Sequence, residues 1–183
     1  MNRIVVTCIL AAAVGYAQKQ LGEPREMSES YNPHLWHGDD ARFVKETVEM
    51  SRSEVELSKL AILKSSDTGV QNLALVLIRD AGKIDRTLSS WSRSYGFELP
   101  RHKDEKMQAE QDRLNELSGA DFNRAYLDLM AKDHTQDLQR FRAEAADTAD
   151  SDLEEFTRKY EPKLEADGRY LPAARKTSST AAH

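Results

Sequence analysis

Residues 121–145 read DFNRAYLDLMAKDHTQDLQRFRAEA, and the spacing of their apolar side chains decides the fold class. Apolar residues recur at three- and four-residue intervals, which is the period of a helix with one buried face. This face comprises Leu127, Met130, His134, Leu138, Phe141 and Ala145. The pattern therefore predicts a long helix that directs the imidazole of His134 into a helical core.

Two more long helices are predicted before this segment. The first spans residues 39–65 and carries Glu54 on its inward face. The second begins at Thr68, where Gln71 three residues later makes a capping box, and it ends before Gly96. Because only a few residues separate these two helices, we expect them to be antiparallel neighbours.

The rest of the domain is also predicted to be helical. A short helix over residues 103–117 crosses to the helix that carries His134, and that helix starts at Ser118. A fourth long helix starts at Asp150 or Ser151 and has Asp167 on its inward stripe. Since alternation with period two is never sustained, no strand is expected. The prediction is an all-α protein, a four-helix bundle with a short crossing helix.

The two ends of the chain differ from this domain in composition. Residues 1–17 have one positive charge, a short apolar run and small residues near Ala17, which is typical of a cleaved secretory signal. The apolar run is shorter than the roughly 20 residues that a transmembrane helix needs. We assign residues 18–38 to a linker, 39–172 to the bundle and 173–183 to a disordered tail. The protein is therefore expected to be exported, and the family resemblance described below implies a location in the periplasm or at the outer membrane.

Composition excludes several classes of function. Cys8 is the only cysteine and lies within the predicted signal, so the mature domain would have neither a disulfide nor a thiol nucleophile. The formal net charge of −5 argues against a nucleic-acid partner. Phosphate-binding loops, nucleophile elbows and HExxH motifs are absent from the sequence. The partner is expected to be an unknown envelope protein, or none.

Three segments resemble a known family. They are FVKETVEMSRSEVELSKLA at residues 43–61, SGADFNRAYLDLMAKDHTQDLQRF at residues 118–141 and YEPKL at residues 160–164. They are similar to the ferritin-like family of exported bacterial domains known as domain of unknown function 4142, and the resemblance covers about residues 40–171. It implies a ferritin-like four-helix bundle and export to the cell envelope, but no settled activity.

The resemblance also implies a pattern of histidines that this chain keeps only in part. The family has an Asp-His pair on the second helix, another on the third, and a histidine after the proline of the fourth. Asp133 and His134 match the third-helix pair, whereas Ala81 and Asp167 occupy the other two histidine positions. These departures weaken the case for a metal site.

Glu54, Ala81, His134 and Asp167 are the inward positions that could meet at one level of the bundle. Two carboxylates and an imidazole are acceptable ligands for a divalent ion such as zinc or iron. A di-iron centre would need two Glu-x-x-His repeats, which the chain lacks. The alternative is structural: a buried, charge-assisted hydrogen bond from His134 to Glu54 or Asp167.

Two hypotheses for function follow. The first is a noncatalytic helical bundle of the cell envelope, with no cofactor and with a structural, stress-related or interaction role. The second is a metal-binding or metal-dependent redox bundle that uses Glu54, His134 and Asp167. An envelope enzyme acting on an organic substrate is a third class, but no set of residues supports it.

Overall fold

The structure is a computed structural model that describes residue 36, residues 38–101 and residues 105–180, without the side chains of residues 173 and 175–180. The predicted signal over residues 1–17 lies outside the described residues. So does the predicted linker, except for Trp36 and Gly38. All the described residues belong to one structural unit.

Within the described residues the chain forms five α-helices and no strand, which confirms the predicted all-α class. The four long helices match the four predicted from periodicity, and the short one lies between the second and third of them. The helices are α1 Gly38–Lys64, α2 Thr68–Tyr95, α3 Glu105–Glu116, α4 Gly119–Asp147 and α5 Ser151–Thr180.

The ends of α2 show how local sequence sets the helix boundaries. Asp67 caps the first turn, because its carboxylate accepts a hydrogen bond of 3.0 Å from the Val70 amide. The predicted capping box at Thr68 is therefore wrong by one residue, and the Gln71 side chain instead donates to the Ser65 carbonyl at 2.8 Å. At the other end Gly96 adopts a left-handed conformation with φ 75°, which glycine tolerates without steric cost, and it ends the helix as predicted.

The four long helices form a ring. Helix α1 packs against α2 and α4, and α5 packs against the same two helices. The rings of Phe43 and Phe141 lie 5.2 Å apart at one end of the α1–α4 pair, and the hydroxyls of Ser58 and Tyr126 lie 2.9 Å apart toward its other end. Residue numbers thus rise along α1 as they fall along α4, so the two helices are antiparallel. Helix α3 contacts α1 and α4, and of its residues only Leu114 is buried.

The apolar core consists of two separate clusters of buried side chains. The first cluster includes Leu57, Leu77, Tyr126 and Leu171, and the second includes Phe43, Ile84, Phe141 and Phe156. Burial of each such side chain contributes about 1.5–3 kcal/mol to folding, so packing of both clusters holds the bundle together. The stretch between the two clusters contains the polar residues described below.

Two details of the predicted helices need correction. On α4, Asp137 is buried and Leu138 only partly so, because a helix turns by 3.6 residues and position 137 follows His134 on the inward face. Helix α5 continues through Pro162 and Pro172 to Thr180, whereas the sequence predicts a disordered tail from residue 173. Ala174 is buried because it lies about one turn after Leu171 on the same face.

None of the helices in the described part of the chain combines the length and the apolar character needed to cross a bilayer.

Candidate functional site

A layer of ionisable side chains crosses the middle of the bundle between the two apolar clusters. On α4, Met130 belongs to the first cluster and Phe141 to the second, and His134 and Asp137 lie between them. The same holds for the other three long helices. Each has an ionisable residue between the part of the helix that packs in one cluster and the part that packs in the other. We call this set the polar layer: Glu54, Asp80, His134, Asp137 and Asp167, all buried.

Glu54 and His134 face each other inside this layer. The distance from His134 Nε2 to Glu54 Oε1 is 3.4 Å, which is long for a hydrogen bond, and neither atom has a hydrogen-bond partner. The two atoms are close enough for an ion pair if the histidine were protonated, but they do not have the geometry of a hydrogen bond. The predicted charge-assisted hydrogen bond from His134 to Glu54 is therefore not formed.

Burial disfavours the charged form of both residues. It lowers the pKa of His134, and a hydrogen bond to the backbone of Met130 opposes that effect. Because Nε2 has no partner, the bonded nitrogen is Nδ1, so in the neutral ring the proton lies on Nδ1 and an unprotonated Nε2 faces Glu54. Burial, assisted by the negative charges of Asp137 and Asp167, raises the pKa of Glu54 well above its usual range.

Asp167 lies in the same layer and acts on Glu54 through its charge. Only 4% of its surface is exposed. Burial, and then the charge of Asp80, raise the pKa of Asp167 to about 7. Its charge reaches Glu54 through space, since it contributes to the raised pKa of that carboxyl. The structure thus brings Glu54 and His134 together and leaves Asp167 as an electrostatic neighbour.

Two further carboxyls of the layer were missed by the sequence analysis. Burial raises the pKa of Asp137 to about 7 although Arg140 lies 2.7 Å away. Asp80 behaves in the opposite way, because a hydrogen bond from Arg79, helped by Lys83, lowers its pKa despite burial. The position of Asp137, three residues after His134, is itself compatible with the inward face. The sequence analysis assigned Leu138 to that face instead because leucine is more hydrophobic.

A cavity of about 340 Å³ opens beside the polar layer, between α1, α3 and α4. Glu54 and Asp137 line it together with apolar side chains that include Leu57 and Met130, whereas His134 does not. The imidazole is 5% exposed and is separated from this space. The cavity therefore gives a ligand access to the carboxyl of Glu54 but not to the histidine.

The polar layer does not bring together the three or more protein ligands that a metal site usually has. Among the residues with described positions, no group of three or more His, Cys, Asp or Glu side chains is arranged to hold a metal ion. Ala81, one of the four inward positions considered from the sequence, is buried and supplies no ligand atom. Glu54 and His134 are therefore the two candidate ligands that are in contact.

The fold and the site together define an all-helical bundle with a buried layer of carboxyls and one imidazole. The family model described as "Domain of unknown function (DUF4142)" matches residues 25–169. The chain belongs to this family, as the resemblance in its sequence predicts. No curated protein and no solved structure matches it.

Proposed function

We propose that this chain is an exported, ferritin-like helical bundle of the cell envelope with a noncatalytic role, which is structural, stress-related or one of interaction with a partner or ligand. Its membership of the family and the ring of four long helices support the architecture. The short apolar run near the start of the sequence supports export.

The seclusion of His134 is the observation that carries the noncatalytic role. A general acid or base must come within hydrogen-bonding distance of the proton that it transfers. The imidazole of His134 is 5% exposed, its Nδ1 is bonded to the backbone, and its Nε2 faces Glu54 rather than the cavity. Glu54 can be reached from the cavity, so a bound molecule would meet a carboxyl without a partner base.

Cell fractionation tests the export part of the proposal. We expect the mature protein in the envelope fraction, with Gln18 as its first residue when the terminus is sequenced. Recovery of uncleaved protein in the cytoplasm would contradict export.

Incubation with a small-molecule extract tests the absence of catalysis. We expect mass spectrometry to find compounds retained by the protein and none converted. Conversion that stops in the variant His134→Gln would show that the buried imidazole is catalytic and would refute the proposal.

The spacing of the Glu54–His134 pair supports a second candidate, a divalent-metal site completed by Asp167. Two ligands at a tetrahedral ion with bonds of about 2.1 Å lie about 3.4 Å apart. The distance from Nε2 to Oε1 is 3.4 Å, and both atoms lack a partner. An ion between them would require Glu54 to lose its proton, because only the carboxylate is a good ligand.

Thermal unfolding with zinc, manganese or iron separates the two candidates. A metal that binds only the folded state should stabilise it by about 2.7 kcal/mol at a hundredfold excess over the dissociation constant. The metal hypothesis requires this gain in the wild type and its loss in both His134→Gln and Asp167→Asn. The noncatalytic proposal without metal expects the same melting temperature with and without each ion.

A further inference from the structure

The cavity between α1, α3 and α4 has the size and composition of a ligand pocket. Its volume of about 340 Å³ lies at the lower end of the range of about 300–1,000 Å³ that small-molecule sites occupy. Apolar side chains from all three helices line it, among them Leu57, Met107 and Leu129. A ligand with an apolar part would therefore find a surface that it can cover.

Charge in the cavity is predominantly negative. Six acidic residues line it against three basic ones, Lys106, Lys132 and Arg140. Arg140 is already paired, at 3.0 Å from Glu46 and 2.7 Å from Asp137, while Lys106 and Lys132 are exposed to solvent. The buried part of the lining thus has an excess of carboxyls, which favours a cationic ligand.

Glu54 is a buried acid whose side chain lines this cavity. Only 9% of the side chain is exposed, and its Oε1, which faces His134, has no hydrogen-bond partner. The carboxyl therefore has few partners within the protein, and a ligand in the cavity can donate a hydrogen bond to it. Burial and the unpartnered oxygen distinguish Glu54 from the other acids that line the cavity.

We propose that the cavity binds an organic ammonium ion with an apolar chain, and that the carboxylate of Glu54 is its counter-ion. An ammonium group donates hydrogen bonds and carries the charge that the buried acids attract, and its chain covers the leucine and methionine side chains. A bare metal ion would use none of this apolar lining. The inference rests on the proposed noncatalytic role, because the bound ion is retained unchanged.

A cation in the cavity would meet an environment that is short of positive charge. Burial raises the pKa of the Glu54 carboxyl, and so do the charges of nearby acids, which are Asp133 and Asp137 on α4, Asp80 on α2 and Asp167 on α5. An ammonium ion beside Glu54 would offset these effects, because an opposite charge favours the carboxylate.

Calorimetric titration of the full chain with n-hexylammonium chloride tests the proposal. We expect saturable binding to the wild type. The neutral alcohol n-hexanol, which has the same chain, should bind at least about tenfold more weakly, equivalent to about 1.4 kcal/mol. Equal binding of the alcohol would overturn the role of the charge.

Variants on α1 locate the site. Glu54→Gln should lose about tenfold or more in ammonium affinity, whereas Glu54→Asp, which keeps a carboxyl group, should retain most of it. Glu56→Gln is the matched control, because Glu56 lies on the same helix but does not line this cavity. Circular dichroism should show all three folded; if Glu54→Gln unfolds, Glu54→Asp and the alcohol still decide the question. Unchanged affinity in Glu54→Gln would refute the proposal.

Two other outcomes would distinguish a failure of the ammonium site from a failure of the noncatalytic role. Protection against unfolding by zinc but not by n-hexylammonium would overturn the ammonium site and favour the metal candidate. Conversion of the bound amine to a product, detected by mass spectrometry, would refute the noncatalytic role even if the amine binds as expected.

Discussion

Replacement of Asp167 by asparagine should weaken the dependence of stability on pH. The carboxyl of Asp167 is 4% exposed, and burial followed by the charge of Asp80 raises its pKa to about 7. The positive charges of Arg79, Lys163 and Lys83 act in the opposite direction but do not cancel the effect. Asparagine has nearly the same shape and cannot ionise, so the substitution removes the titration with little change in packing.

The sign of the effect follows from the direction of the pKa shift. An aspartate in the unfolded chain has a pKa near 3.8, so between about pH 4 and pH 7 the folded protein holds the proton that the unfolded chain has lost. The stability contributed by the protonated Asp167 is complete below pH 4 and is lost as the pH rises through about 7. At 1.36 kcal/mol for each pH unit, the interval corresponds to at most about 4 kcal/mol.

Urea unfolding of the wild type and Asp167→Asn at about pH 5 and about pH 8 measures this difference. We expect the wild type to lose free energy of unfolding over this interval and the variant to lose less, by up to about 2.7 kcal/mol, because only the two pH units between pH 5 and the folded pKa of about 7 contribute. Glu155→Gln, at an exposed acid of the same helix, should follow the wild type. Parallel pH profiles for the wild type and Asp167→Asn would refute the reasoning that burial holds this carboxyl protonated.

His134 should act in the opposite sense on the acidic side. Burial lowers the pKa of His134, so its contribution to stability is present above about pH 6.5 and is lost as the pH falls through the lowered value. The contribution of His134 to the pH dependence cancels when Asp167→Asn is compared with the wild type, because both proteins retain the histidine.

Three further substitutions test the packing of the helices. Leu77→Asp should destabilise the fold by several kcal/mol in thermal unfolding, because Leu77 is fully buried, whereas Leu75→Asp on the exposed face should have little effect; equal effects would mean that the inward face of α2 is misassigned. Asp67→Ala should cost about 1 kcal/mol by loss of the helix cap, and an unchanged free energy of unfolding would show that the cap contributes nothing. Tyr126→Phe should cost about 1–3 kcal/mol because it leaves the Ser58 hydroxyl without its buried partner, and adding Ser58→Ala should restore part of the loss; simple additivity of the two changes would contradict a direct bond.

Helical periodicity identified most of the fold because each long helix buries one stripe of its own sequence. The stripe around Leu77 and the glycine at Gly96 predicted α2 from local residues alone, since burial and left-handed backbone geometry leave direct traces in the sequence. The same local information failed at Thr68, where the carboxylate of Asp67 provides a better cap. Periodicity also favoured the hydrophobic Leu138 over Asp137. Both positions fit a helical stripe, since they lie four and three residues after His134, and periodicity alone does not show which of them is buried.

The sequence by itself determined the all-α class, the family and the inward position of His134, because each depends on residues that are close in the chain. Only the tertiary structure decided what His134 meets. Helix register places its Nε2 3.4 Å from Glu54 Oε1, and Asp167 acts on that carboxyl through its charge. The raised pKa of Glu54, and the cavity that reaches it, also arise from tertiary packing. Burial and the combined field of acids on four helices depend on distances between residues far apart in the chain, and those distances exist only after the bundle has packed.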